Sequence, residues 1–120
     1  MSHFFDTYAI IDLVRENQGY RKYADQKIIT SLLNLGELYS AMLRDYGEDR
    51  ARELREKLRG CYIDITEDII VKAMEFRFRH KKKEFSFVDC VSFTLAKEHG
   101  LTFLTGDEDF QGMENVEFVK

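Results

Sequence analysis

The chain has 120 residues, 44% of them hydrophobic, so its length and composition fit one compact domain with an apolar core. Its formal net charge of -4 excludes a protein whose whole surface attracts nucleic acid, so a polyanionic partner would need a local basic patch. No apolar run approaches the ~20 residues of a membrane span, and the stretch MSHFFDTYAI lacks the layout of a signal peptide. We therefore expect one domain over residues 1–120, in the cytoplasm and away from membranes, with Cys61 and Cys90 as reduced, buried thiols.

Short apolar runs alternate with helical patterns in the first half of the chain. His3 to Phe5 predicts a strand, and the segment from Thr7 to about Arg15 is predicted to be helical. Ile28 to Ser31 predicts a second strand, after which a helix is predicted to begin near Asn34. A third helix is predicted from about Glu48 to Leu58.

The second half of the chain continues this alternation. Thr66 and Ser86 are predicted to cap two further helices, because a side-chain oxygen at that position accepts a hydrogen bond from the first turn. Three more strands are predicted at CYIDI, LTFLT and VEFVK. The pattern predicts an α/β fold with a central, mostly parallel sheet that is flanked by helices on both sides.

Acidic residues follow the predicted strands. Asp6 comes directly after the first strand, Glu37 lies about one turn into the helix after the second, and Asp107 and Asp109 follow LTFLT. Asp89 lies in the first turn of its helix. Because an open parallel sheet binds its ligand at the carboxyl ends of its strands, these acids are expected to converge at that edge.

Each acid also has an ordinary structural interpretation. Asp6 and Asp107 fit turn or cap residues, Asp89 fits a capping pair with Ser86, and Glu37 fits a solvated helix face. Glu37 and Asp89 nevertheless have apolar sequence neighbours, where an unpaired carboxylate is costly. Clustered carboxylates must take up protons or bind cations, and oxygen ligands suit Mg²⁺ or Mn²⁺. No His/Cys spacing supports zinc.

Four stretches of the sequence, in this order, carry a family resemblance: FFDTYAIIDL, LLNLGELYSAM, FSFVDCVSFTLAKEHG and LTFLTGDEDF. They resemble the motifs of PIN-domain ribonucleases and, within that family, of the VapC-type toxins of prokaryotic toxin–antitoxin pairs. The resemblance extends over nearly the whole chain. Tyr8 stands where the family often has Ser or Asn, and Cys90 stands where it often has Ala.

This resemblance implies a metal-dependent endoribonuclease that hydrolyses RNA phosphodiester bonds with Mg²⁺ or Mn²⁺, as the toxin of a type II toxin–antitoxin system. The implied catalytic and metal-binding residues are Asp6, Glu37, Asp89 and Asp107, and Asp109 matches a frequent fifth acid. Asp6 and Asp89 are expected to bind the metal directly, whereas Glu37 and Asp107 bind it directly or through water. Implied partners are RNA and a cognate antitoxin. Apolar helix faces that remain after the core is built also favour a homodimer.

Three other classes of protein share parts of this pattern. A Toprim-type domain also ends a strand with Asp-x-Asp but needs a Glu after its first strand, where this chain has Asp6. A haloacid-dehalogenase-like phosphatase needs Asp-x-Asp at that place, and Tyr8 occupies the second position. A catalytically inactive or housekeeping PIN-like RNA-binding protein remains the alternative function.

Basic residues are concentrated in two parts of the sequence. Those in EDRARELREK alternate with acids, which is typical of a solvated helix face. A denser group in RFRHKKK, which we call the basic link, leads into the Asp89 helix. It is either a phosphate-binding patch or a solvated linker. Its predicted RNA-binding residues are Arg79, Lys81, Lys82 and Lys83.

Overall fold

The computed structural model describes residues 2–120, and its centre is a three-stranded parallel sheet. The strands are β1 (His3–Phe5), β2 (Thr102–Thr105) and β3 (Val116–Phe118), in the order β1-β2-β3. Both pairs of strands are parallel, and His3 of β1 lies opposite Thr102 of β2. The three predicted strands at these places are confirmed, and their parallel pairing brings their carboxyl ends to one edge.

Five α-helices surround the sheet. They are α1 (Thr7–Val14), α2 (Leu32–Tyr46), α3 (Glu48–Lys57), α4 (Glu67–Arg79) and α5 (Phe87–Glu98). The predicted caps are confirmed, since the Thr66 hydroxyl accepts from the Ile69 backbone N–H, and Ser86 and Asp89 form a reciprocal capping box. Two short 3₁₀ turns, Gln18–Tyr23 and Glu108–Phe110, were not predicted.

The predicted strands at Ile28 to Ser31 and at CYIDI are wrong as strands. The two segments meet only at a single parallel bridge between Thr30 and Tyr62. The Thr30 N–H donates to the Cys61 carbonyl, and the Ile63 N–H donates to the Thr30 carbonyl. Strand pairing does not extend beyond Thr30 because the following residue, Ser31, is the N-cap of α2.

Two apolar clusters cover opposite faces of the sheet. Phe4 and Phe103 belong to the cluster that contains the buried residues of α4 and α5. Phe5 and Leu104, their neighbours along the same strands, belong to the cluster formed with α1, α2 and α3. Successive strand residues point to opposite faces, so the prediction of helices on both sides is confirmed.

Three further expectations concern the chain as a whole. Within residues 2–120, no helix is both long enough and apolar enough to cross a membrane. Cys61 and Cys90 are both free, but only Cys90 is buried as expected, since Cys61 is partly exposed. The predicted α/β fold is confirmed, although the predicted domain also includes Met1, which lies outside the described residues.

Candidate active site

Asp6 lies at the end of β1 and serves as the N-cap of α1. Its side chain is only 2% exposed, which is unusual for a carboxylate. One carboxylate oxygen, Oδ1, accepts from the Thr7 backbone N–H at 2.8 Å, and Oδ2 accepts from the Thr105 hydroxyl at 2.7 Å. Asp6 is therefore held from both sides by the first turn of α1 and the last residue of β2.

Burial raises the pKa of Asp6 from its ordinary value of 3.8 to about 7. The hydrogen bond from Thr105 opposes this rise, the negative charge of Asp89 adds to it, and smaller effects come from the Thr7 N–H and from Glu37. Desolvation and neighbouring carboxylates both disfavour the ionised form of Asp6. A cation bound nearby would have the opposite effect and lower the pKa of Asp6.

Glu37 and Asp89 reach the same edge from two different helices. Glu37 lies in α2, and its Oε1 accepts from the Thr7 hydroxyl at 2.7 Å. It is exposed despite its apolar sequence neighbours. Asp89 is half-buried in the first turn of α5, where its Oδ2 accepts from the Ser86 N–H at 2.8 Å. Burial raises the pKa of Asp89, and the charges of Asp107 and Glu37 raise it further.

Asp107 and Asp109 lie in the loop that follows β2. The Asp107 N–H donates to the Thr105 hydroxyl oxygen at 3.1 Å, and that hydroxyl in turn donates to Asp6. The Asp107 carboxylate caps the 3₁₀ turn by accepting from the Asp109 N–H at 3.0 Å. Gly106 precedes them in a crowded place, where a Cβ would meet both Tyr20 Oη and Val119 O at 3.0 Å.

The predicted acids converge around the exposed ring of Tyr8. Burial raises the pKa of the Tyr8 hydroxyl, and four of the acids raise it further by their charge. In order of effect, these are Asp107, Asp6, Asp89 and Asp109. Glu37 joins the cluster through the Thr7 hydroxyl. The structure thus brings together all five acids that the sequence singled out.

The donor set of this cluster fits a hard divalent cation. All five side chains offer carboxylate oxygens, and within residues 2–120 none of them forms an ion pair with Lys, Arg or His. Such oxygens are the ligands of Mg²⁺ and Mn²⁺. In the described part of the chain, no three His, Cys, Asp or Glu side chains are already placed close enough together to bind one metal ion. Closing on a cation would therefore need side-chain rotation.

Asn34 is the residue of this site that sequence reasoning missed. It is fully buried, and its side chain lies between Asp6, Thr7 and two serine hydroxyls. The only sequence signal was one amide within the apolar run LLNLGEL, which does not reveal partners that are distant along the chain.

The basic link passes beside the acidic loop. The Lys83 ammonium donates to the Asp109 backbone carbonyl at 2.9 Å, and the Phe85 ring stacks on Phe110 with centroids 4.5 Å apart. Lys81 lies over the Phe78 ring, with its Nζ 4.9 Å from the centroid. The other two predicted RNA-binding residues, Arg79 and Lys82, are exposed. RNA binding by this link stays a prediction.

The PIN domain family model matches residues 3–116. The chain belongs to the PIN domain family. No curated protein sequence matches the chain significantly. The resemblance inferred from the four motifs is confirmed at the level of the family.

Solved structures that are similar to this PIN domain include a toxin and a toxin–antitoxin complex. VapC20 from Mycobacterium tuberculosis, a sarcin–ricin loop cleaving toxin, is 27% identical with a TM-score of 0.80, covering 99% of this chain and 100% of that one. A toxin–antitoxin complex from Klebsiella pneumoniae is 22% identical, with a TM-score of 0.76 and coverage of 97% and 96%. FitAcB from Neisseria gonorrhoeae is 19% identical, with a TM-score of 0.65 and coverage of 98% and 96%.

Proposed function

We propose that this PIN domain is a divalent-metal-dependent endoribonuclease that hydrolyses RNA phosphodiester bonds. The observation that carries the proposal is the buried Asp6 carboxylate, which lies among other carboxylates and has no basic partner within residues 2–120. The arrangement is unfavourable for a folded chain alone, because each carboxylate disfavours the ionisation of its neighbours. It becomes favourable once Mg²⁺ or Mn²⁺ binds between them.

Each side chain has a defined part in this proposal. Asp6 and Asp89 would hold the cation directly, and Glu37 and Asp107 would bind it directly or through water. The cation, when bound, offsets the negative charge of the phosphate and lowers the pKa of a bound water. The Thr105 hydroxyl and the Thr7 N–H each donate to one Asp6 oxygen and so hold the carboxylate in one orientation.

Cleavage of single-stranded RNA by the purified protein tests the function. Mg²⁺ or Mn²⁺ should support cleavage, and EDTA should stop it. Asp89→Asn should abolish cleavage while the protein stays folded, because it removes a ligand at a half-buried position. Asp64→Asn makes the same chemical change at an exposed site outside the cluster and should cleave at the wild-type rate. Equal rates for the Asp89 and Asp64 variants would refute the site.

A toxin of a type II toxin–antitoxin system is the biological role that we propose for this nuclease, in the cytoplasm. The solved relatives support it, since they include a VapC toxin and a toxin–antitoxin complex. Tyr8 and Phe87 are 52% and 40% exposed, and both are close in sequence to acids of the cluster. An amphipathic antitoxin helix with a basic side chain would fit such apolar surroundings and the acids beside them.

Expression of the chain in a bacterial host tests the toxin role. The wild-type chain should arrest growth, and the Asp89→Asn variant should not. Co-expression with the product of the adjacent upstream reading frame should give a complex that co-purifies and lacks nuclease activity. A chain that is harmless in the cell while active on RNA in vitro would instead favour a housekeeping PIN nuclease.

A second copy of the chain is the further partner that we propose, docked on α4. Val71 and Phe78 are 50% and 70% exposed on this helix, and Met74 lies between them. The helix begins with two acids and ends with basic residues. Two antiparallel copies would therefore place opposite charges against each other. Phe78→Gln should shift the mass in light scattering toward the monomer, whereas Tyr46→Gln, at another exposed aromatic, should not.

A further inference from the structure

Asn34 has a set of hydrogen-bond partners that ordinary core packing does not require. Its Oδ1 accepts from the Ser31 hydroxyl at 2.6 Å and from the Ser92 hydroxyl at 3.0 Å. Its Nδ2 donates to the Thr7 hydroxyl oxygen at 3.2 Å and lies 3.5 Å from Asp6 Oδ1. The amide is fully buried and uses both ends of its dipole.

The direction of this network is set by its charged end. A reversed amide would place Oδ1 against the Asp6 carboxylate, which is also an acceptor, so the repulsion favours the arrangement in the structure. The Thr7 hydroxyl accepts from Asn34 and is therefore free to give its own proton to Glu37 Oε1, at 2.7 Å. Each hydrogen bond in this network is therefore donated in the direction of the acids: the two serine hydroxyls donate to Asn34, Asn34 donates to Thr7, and Thr7 donates to Glu37.

The same amide ties together three helices that carry acids of the site. Asn34 lies in α2 with Glu37, Thr7 lies at the start of α1 beside Asp6, and Ser92 lies in α5, three residues after Asp89. A shift of any one helix would break a hydrogen bond to the amide in a place that water does not reach.

We propose that Asn34 is a positioning residue that orients Asp6 directly, and Glu37 through the Thr7 hydroxyl, for cation binding. This inference rests on the proposed function for its activity readout but not for its metal readout. Because Asn34 is fully buried, the proposal gives it no direct contact with the cation or the RNA. Its removal leaves Glu37 without an oriented donor chain and leaves the two serine hydroxyls without their acceptor.

A double-mutant cycle between Asn34→Ala and Thr7→Val tests the inference, because the effects of two mutations are not additive when one residue acts through the other. Each variant should lower kcat for RNA about tenfold with KM changed less than about twofold, and the double variant should lose about tenfold rather than about a hundredfold. The Mn²⁺ concentration that gives half of the maximal rise in melting temperature should increase at least about threefold in each single variant and no further in the double.

Thr30→Val is the matched control for loss of a buried hydroxyl. Thr30 is fully buried and close to the site, but its hydroxyl donates to the Phe5 carbonyl at 2.9 Å rather than toward the acids. This variant should lower the melting temperature yet keep the wild-type kcat and Mn²⁺ midpoint. If Asn34→Ala does not fold, Ser92→Ala takes its place in the cycle with Thr7→Val.

The outcomes separate this inference from the proposed nuclease. Wild-type kcat and Mn²⁺ midpoint in the Asn34 variant would overturn the positioning role. Strictly additive losses in the double variant would overturn the part of it that acts on Glu37 through the Thr7 hydroxyl. A wild-type protein that takes up Mn²⁺ but cleaves no RNA would refute the nuclease, and the Mn²⁺ midpoints would still decide on Asn34. If Mn²⁺ does not change the melting temperature of the wild-type protein, both the positioning role of Asn34 and the metal-dependent nuclease are refuted.

Discussion

Replacing Asp6 by Asn should stabilise the metal-free protein at alkaline pH, although the same change should abolish catalysis. The folded chain holds the pKa of Asp6 at about 7, above its ordinary value of 3.8. Below about pH 4 the carboxyl is protonated in both states and its pKa has no effect on stability. As the pH rises further, the unfolded carboxyl ionises first, so the free energy of unfolding falls until the folded pKa is passed.

The size of the effect follows from the two pKa values. The interval between 3.8 and about 7 corresponds to about 4 kcal/mol at about 1.4 kcal/mol for each pH unit. Asn has one acceptor oxygen where Asp6 has two, so it cannot accept from both the Thr7 N–H and the Thr105 hydroxyl, and the lost hydrogen bond costs about 1 kcal/mol. A net gain of about 3 kcal/mol in a chain of this length raises the melting temperature by about 10 °C.

Thermal unfolding in EDTA, from pH 4.5 to 8.5, measures this prediction. The melting temperature of Asp6→Asn should exceed that of the wild type at pH 8 and the two should approach each other toward pH 4.5. Asp64→Asn, at an exposed position, should follow the wild type at every pH. A difference between Asp6→Asn and wild type that stays constant with pH, or a wild type that is the more stable at pH 8, would refute the reasoning.

Two other changes have expected outcomes. Exchanging Lys81–Lys83 for Gln should weaken RNA binding and reduce the slope of log affinity against log salt by about 2; the same exchange at the exposed Arg50, Arg52 and Lys57 of α3 should leave the slope unchanged. Gly106→Ala should lower the free energy of unfolding by about 1–3 kcal/mol in chemical denaturation, because its Cβ would approach two oxygens at 3.0 Å; wild-type stability would contradict the described crowding.

The parts of the fold that local sequence determines were predicted well. Helix caps at Thr66 and Ser86 depend on residues within three positions, and both form. Strand pairing depends on distant residues, so the apolar pattern at Ile28 to Ser31 could show an extended segment but not that only one bridge would form there. The 3₁₀ turn Gln18–Tyr23 lacks an apolar period that would reveal it.

The acids of the site were predictable for a different reason. Asp6 and Asp107 follow strands of a parallel sheet, and topology alone brings such residues to one edge. Burial was less predictable, because Glu37 has apolar sequence neighbours yet faces solvent, whereas Asp6 is almost inaccessible. Asn34 was missed because its partners lie up to 58 residues away along the chain.

The pairing of β1 with β2 also determines when the acid cluster can form during synthesis of the chain. Asp6 is made before the hydroxyl that orients it, because that hydroxyl belongs to Thr105, 99 residues later along the chain. Contacts between such distant residues pay the entropy of closing a long loop before they contribute any stability. The helices of the middle of the chain can therefore form on a growing polypeptide while the acid cluster remains incomplete. A chain that stops short of β2 carries Asp6, Glu37 and Asp89 but has no edge on which to assemble them.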